Sequence, residues 1–154
     1  MLRAERLSRN GELTFFLSGE LNESADLQSL IGSPPPKICI NTRRVTGVNS
    51  AGISLWLKYV ERLIASGVKI RYAECSYTFT NCLRYLVGAH NRGCVDSVVG
   101  PFSCAKCEAE FEVLIKTPDI LAIKPQITGQ VCPDCRGPLE FDELPAEYFS
   151  FLSI

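Results

Sequence analysis

The chain has 154 residues, 46% of them hydrophobic and 21% charged, with a formal net charge of -1. That is the composition of a globular protein of one domain, or one domain with a small appendage, and it excludes a disordered or low-complexity chain. No stretch approaches the ~18 uninterrupted apolar residues of a membrane span. The N-terminal MLRAERLSRNGELTF lacks the apolar core and small-residue cleavage site of a secretory signal, so a cytoplasmic location away from membranes is expected. In a reducing compartment the eight cysteines are metal ligands, redox groups or buried thiols in preference to disulfides.

The charge is unevenly spread. Residues 1–100 hold twelve Lys/Arg against eight Asp/Glu, and residues 101–154 hold four against nine. The opposite signs, +4 and -5, suggest two units, 1–100 and 101–154, joined at Gly100-Pro101.

In chain order, a first β-like segment reaches the turn Arg9-Asn10-Gly11, and Glu12–Ser18 follows as its hairpin partner at a sheet edge. Gly19-Glu20-Leu21-Asn22 has turn composition. Ser24 is placed to cap a short helix bearing Leu27, Leu30 and Ile31. Gly32-Ser33 and the prolines Pro34 to Pro36 stop it and lead stiffly into a short buried strand, Lys37–Asn41. After Asn49 the period lengthens: Ile53, Leu57, Val60 and Ile64, with Trp56 and Leu63, form the stripe of an amphipathic helix of roughly four turns. Gly67 is positioned to end it. Val68–Ala73 alternates as a strand, Tyr77 to Val87 reads as a second helix, and Val95–Val99 as a last strand. Alternating strands and helices argue for an α/β layer with part of its sheet parallel.

Residues 101–154 offer short β-like runs at Glu110–Lys116 and Ile120–Lys124 and few large apolar groups, too few for an unaided fold. Cys104-Ala-Lys-Cys107 and Cys132-Pro-Asp-Cys135 supply the missing stabiliser. Two CxxC turns place four thiolates around one ion about 2.3 Å away, a closed structural zinc site. Such a site contributes ~10–16 kcal/mol of apparent folding free energy. The 24 residues between the pairs are more than usual for a zinc ribbon, and two strands can fill them. Neither pair lies on a helix following a strand, as a thioredoxin-like redox pair would. Iron–sulfur motifs are more compact, and four cysteines leave no open position for catalytic zinc. Zinc with four thiolates adds -2 to a segment already at -5, which disfavours nucleic acid as a partner. Cys39, Cys75, Cys82 and Cys94 are expected as core thiols, and His90 as a surface loop residue.

Residues 17–27 (LSGELNESADL), 37–41 (KICIN) and 45–75 (VTGVNSAGISLWLKYVERLIASGVKIRYAEC) resemble a STAS domain, the fold of sulphate-transporter cytoplasmic domains and anti-sigma-factor antagonists. Asn49, Ser50, Ala51 and Gly52 stand where antagonists of that family carry an aspartate, a serine, a second serine or threonine, and a glycine. Asn49 in place of the aspartate departs from the pattern for kinase recognition. The resemblance implies an α/β, STAS-like mixed sheet with no active site, followed by a small β-rich zinc ribbon. It also implies a non-enzymatic role in docking a protein partner, a serine kinase or partner-switching complex, through the surface around Ser50. Phosphorylation of Ser50 would switch that binding. A helix start tolerates the added charge, and Arg43 and Arg44 on the preceding segment are cations that could answer it. Ser50 or Asn49 is also a suitable N-cap. The competing functions are a nucleic-acid-binding zinc-ribbon adaptor and a cysteine-based enzyme using Cys75, Cys82 or Cys94. No glycine-rich phosphate loop, Ser/His pair or paired-carboxylate motif is present.

Overall fold

The computed structural model describes residues 1–86, 94–117 and 129–152. It is a mixed α/β fold with a five-stranded mixed sheet and a three-stranded antiparallel one. Arg3–Arg9 (β1) and Glu12–Leu21 (β2) form the expected edge hairpin. Asn10 and Gly11 turn it at φ 53° and 78°, the left-handed pair that a two-residue hairpin loop needs. β2 continues through Gly19–Leu21, where a turn was expected. Its register against the next strand shifts on either side of Ser18 and Gly19, so that glycine serves an irregularity inside the strand.

Lys37–Val48 (β3) is also longer than its apolar start suggests. It lies parallel to β2 and to Lys69–Ala73 (β4), and Cys94–Val95 (β5) closes the sheet in the order β1-β2-β3-β4-β5. Arg43 and Arg44 are exposed while Thr42 and Val45 are buried, so the charged residues masked the strand's second half in the sequence.

Leu27–Leu30 (α1) is capped by Asp26, whose carboxylate accepts the Ser29 N–H at 3.1 Å. The expected cap, Ser24, instead donates its hydroxyl to Asn22 Oδ1 at 2.6 Å. Ser50–Ala65 (α2) ends as anticipated: Gly67 adopts φ 89°, its N–H donates to Ile64 O, and the Val68 N–H donates to Leu63 O, a Schellman ending. The buried face of α2 is Gly52, Trp56, Tyr59, Val60 and Leu63, with Ile53, Leu57 and Ile64 only partly covered. The stripe is thus rotated from the expected one. The rotation brings Trp56 Nε1–H to within 3.0 Å of Tyr72 Oη and aims the Tyr59 hydroxyl at Gly32 O. Trp56, Tyr72 and Phe79 pack ring against ring between helix and sheet. Register places Leu7, Phe16, Asn41 and Arg71 together on the opposite sheet face, where Arg71 pairs with Glu12 and Asp96.

The single helix expected from Tyr77 is two short ones, Tyr77–Thr80 (α3) and Leu83–Leu86 (α4); Val87 lies outside the described residues. After β5 the chain changes sheet at Asp96. Ser97–Cys104 (β6) runs unbroken through Gly100-Pro101 and is flanked by Glu110–Lys116 (β7) and Leu139–Phe141 (β8), both antiparallel to it. Pro101 fits a central strand because its carbonyl accepts Asp142 N–H on the β8 side. The N–H and C=O of one strand residue point the same way, so the N–H that proline lacks falls beyond the last β8 pair, Phe102–Phe141. The expected run Ile120–Lys124 and His90 lie outside the described residues.

The two sheets share their core. Cys75 N–H donates to Ser97 O and Val99 N–H to Cys75 O, at 3.1 and 2.8 Å, bridging β6 to the end of β4. Pro145–Tyr148 (α5) and a 3-10 turn at Ser150–Leu152 return to this junction, where Tyr148 Oη–H donates to Val99 O at 2.7 Å. Phe102, Phe141, Tyr148, Phe149 and Phe151 form a chain of ring contacts, a richer core than the sequence suggested for this segment. No helix among the described residues is long and apolar enough to cross a membrane.

Gly100 is tightly enclosed: an added Cβ would stand 2.7 Å from Ile115 Cδ1 and 3.0 Å from Phe141 Cε1. Gly100→Ala is therefore expected to cost about 1–3 kcal/mol by overpacking. A shift in urea midpoint at unchanged slope would register it, and an unshifted midpoint would contradict this packing.

Candidate functional site

The two CxxC turns are built alike. In the first, Cys104 N–H donates to Ala109 O and Glu108 N–H to Cys104 O; in the second, Cys132 N–H donates to Gly137 O and Arg136 N–H to Cys132 O. The fifth residue of each turn, Glu108 or Arg136, has φ of 64° or 62°, a conformation L-residues rarely take outside such turns. β6 delivers the first knuckle at its end, and β8 leaves directly from the second. The Val131–Pro138 bridge and the Leu139 N–H bond to Gln130 O clamp the second knuckle.

The four sulfurs converge as the sequence predicted. Cys104 Sγ lies 3.4 Å from Cys135 Sγ, Cys107 Sγ 3.7 Å from Cys132 Sγ, and all four are within 4.8 Å of one another. Cys104 and Cys132 are buried while Cys107 is exposed. Lys106 and Cys107 N–H groups point at Cys104 Sγ, and Gly137 N–H points at Cys135 Sγ, each at 3.4 Å. Hydrogen bonds from the Cys107 and Lys106 backbone lower the Cys104 thiol to about 6 against the opposing effect of desolvation. At Cys107 the Ala109 N–H pulls downward, but the neighbouring thiols together with desolvation push the group up to about 12. Four soft donors, with amides aimed at sulfur, make a set that could hold a metal ion. Gly137, the residue just after the second knuckle that gives it the look of a zinc-ribbon turn, is packed into the site. A Cβ there would come within 2.9 Å of Lys106 Cβ and 3.3 Å of two of the sulfurs. Its sequence signal is a glycine two residues past a CxxC.

The second predicted constellation lies at the start of α2. Asn49, not Ser50, is the N-cap, and its Oδ1 accepts Gly52 N–H at 2.8 Å. Asn49 Nδ2 donates to Glu23 at 2.8 Å, a hydrogen bond that holds the Glu23 carboxyl below its usual range. Ser50 is exposed in the first helical position, with Ala51 half-buried beside it. Gly52 is buried beneath the end of β2: a Cβ there would stand 2.0 Å from Leu21 O and 2.5 Å from its carbonyl carbon. Glycine is thus needed so that Leu21 can also accept Asn49 N–H at 3.2 Å. Arg43 and Arg44 are not gathered here. They sit back along β3, with Arg44 about 13 Å of strand before Val48. Arg43 is engaged with Glu74 at 3.0 Å; the Glu74 carboxylate also accepts from Asn41 Nδ2, and the Glu74 backbone N–H donates to Ser97 Oγ at 2.8 Å.

Among the remaining thiols, Cys39 and Cys75 are buried, Cys82 is half-buried and Cys94 exposed. Burial pushes the Cys75 thiol up to about 12, and Cys39 and Cys94 upward as well. These shifts are opposite to the activation a cysteine nucleophile requires. No protein-family model matches the chain, and no curated protein matches it in sequence.

Two substitutions separate the roles at the helix start. Asn49→Ala is expected to lose about 1 kcal/mol of stability, whereas Ser50→Ala stays within about 0.5 kcal/mol of wild type. Thermal or urea unfolding measures both, and equal losses would return the cap to Ser50.

Proposed function

We propose that this chain is a non-enzymatic, STAS-type protein-interaction module of the cytoplasm. Its α2 start, around Ser50, docks a protein partner in signalling or partner switching, and its cysteines close on a structural zinc ion. The observation that carries the docking role is an exposed serine on a helix start whose backbone is pinned by Asn49 and Gly52. A partner meets a surface whose shape is set before binding, which lowers the cost of association. A phosphate on Ser50 would add about -1.5 to -2 charge beside the free N–H groups of a 16-residue helix, altering the surface without unfolding it. Arg43 and Arg44 belong to a separate patch on β3 and contribute, if a partner is large, at the margin of its footprint.

Zinc is the ion best suited to the cysteines. Four sulfurs about 2.3 Å from one tetrahedral ion stand about 3.8 Å apart, and the paired separations here are 3.4 and 3.7 Å. A closed thiolate shell leaves no position for substrate, so its work is mechanical: it joins the end of β6 to the start of β8. The acidic surroundings weigh against a nucleic-acid adaptor.

Metal analysis of purified protein is expected to give one zinc per chain, and Cys104→Ser or Cys135→Ser should each lose it. Zinc kept by both variants would sink the four-cysteine site. For docking, a serine-kinase or partner-switching protein captured by wild type should be lost with Ser50→Asp, and peptide mapping after kinase treatment should place phosphate on Ser50. Identical capture by both proteins would remove the Ser50 surface from the interface.

A further inference from the structure

A groove of about 470 Å³ opens on the second sheet, between β7 and the turn after β8. Its sides are acidic and its floor is apolar. Glu110 and Glu112, two residues apart on β7, lie opposite Ser103 and Pro101 of β6 and are both exposed. On the far side Asp142 is held by the Ser103 hydroxyl at 2.5 Å, and Glu143 accepts from the Tyr77 hydroxyl. Between them lie Pro101 and the half-exposed Tyr77 ring, which is braced by stacking on Tyr148. Among the described residues no lysine or arginine lines the groove, and neither Glu110 nor Glu112 enters an ion pair.

From this complementarity we infer that the groove binds an extended, lysine- or arginine-rich segment of a partner protein. Four carboxylates flanking an apolar strip suit side chains that are themselves apolar stems with cationic ends. The stems lie on Pro101, a cationic head can cover the Tyr77 face, and successive heads reach the two walls. A single metal ion is a poor occupant: among the described residues only the four cysteines converge closely enough to hold one. Polyanions are repelled. This surface is distinct from the start of α2 and stands whether or not Ser50 docks anything.

The test is fluorescence anisotropy with the zinc-loaded chain and a labelled octapeptide of alternating lysine and alanine at low salt, with spermine as competitor. Wild type should bind, with affinity falling as salt rises. The double variant Glu110→Gln/Glu112→Gln should weaken binding about tenfold. A remote control, Glu20→Gln/Glu61→Gln, should weaken it less than about twofold. Tyr77→Ala should weaken it about threefold with its thermal midpoint checked alongside, and Pro101→Ala, which trims the apolar floor, should weaken it in the same direction if the tyrosine variant unfolds. Absence of binding at low salt, equal loss in the two glutamate doubles, or displacement by spermine at the peptide's own affinity would each overturn the proposal.

Discussion

The contact on which the first sheet and its long helix depend is the backbone of Leu21 lying against the Cα of Gly52. It joins the end of β2 to the beginning of α2 at a separation no side chain permits. The Leu21 carbonyl also receives Asn49 N–H, so one peptide group fixes both the cap and the closest approach. Since β2 and β3 run parallel, with their last pair at Leu21 and Val48, strand ends, cap and helix start converge within a few residues. The exposed position of Ser50 is a by-product of that convergence.

A second dependence links the sheets. Cys75 leaves β4 and bridges β6 through its own N–H and C=O, and its neighbour Glu74 adopts φ 48° while binding Asn41, Arg43 and Ser97. Tyr148 reaches this junction from near the C-terminus, with its hydroxyl on Val99 and its ring on Tyr77. The cysteine knuckles therefore extend from a sheet that is already anchored. Aromatic packing along Val99 to Phe102 and a metal ion at Cys104 would both brace β6.

The legible parts of the sequence were those governed by short-range chemistry. The Asn10-Gly11 turn, the Gly67 helix ending and the convergence of Cys104, Cys107, Cys132 and Cys135 all follow from local spacing and backbone preference, and all are found. The α/β alternation was legible for the same reason. What was hidden depended on tertiary contact. The second half of β3 is concealed by Arg43 and Arg44 on the open sheet face, and the buried stripe of α2 is set by where Tyr72 and Gly32 lie. The choice of Asp26 over Ser24, and of Asn49 over Ser50, turns on one-residue differences in where a helix begins. Gly100 reads in sequence as part of a join between units, but Ile115 and Phe141 crowd it inside a strand.

The matching hydrogen-bond patterns of the two knuckles carry a consequence for how the site is put together. Each turn closes on its own backbone within six residues, and each is registered by a strand of the second sheet, β6 for one and β8 for the other. Gln130 and Val131 clamp the second turn from outside, but the bonds that close each turn are its own. The first turn closes within Cys104–Ala109 and the second within Cys132–Gly137. Each knuckle therefore carries its own geometry with it, and the site is an encounter of two prefabricated turns brought together by adjacent strands of one sheet.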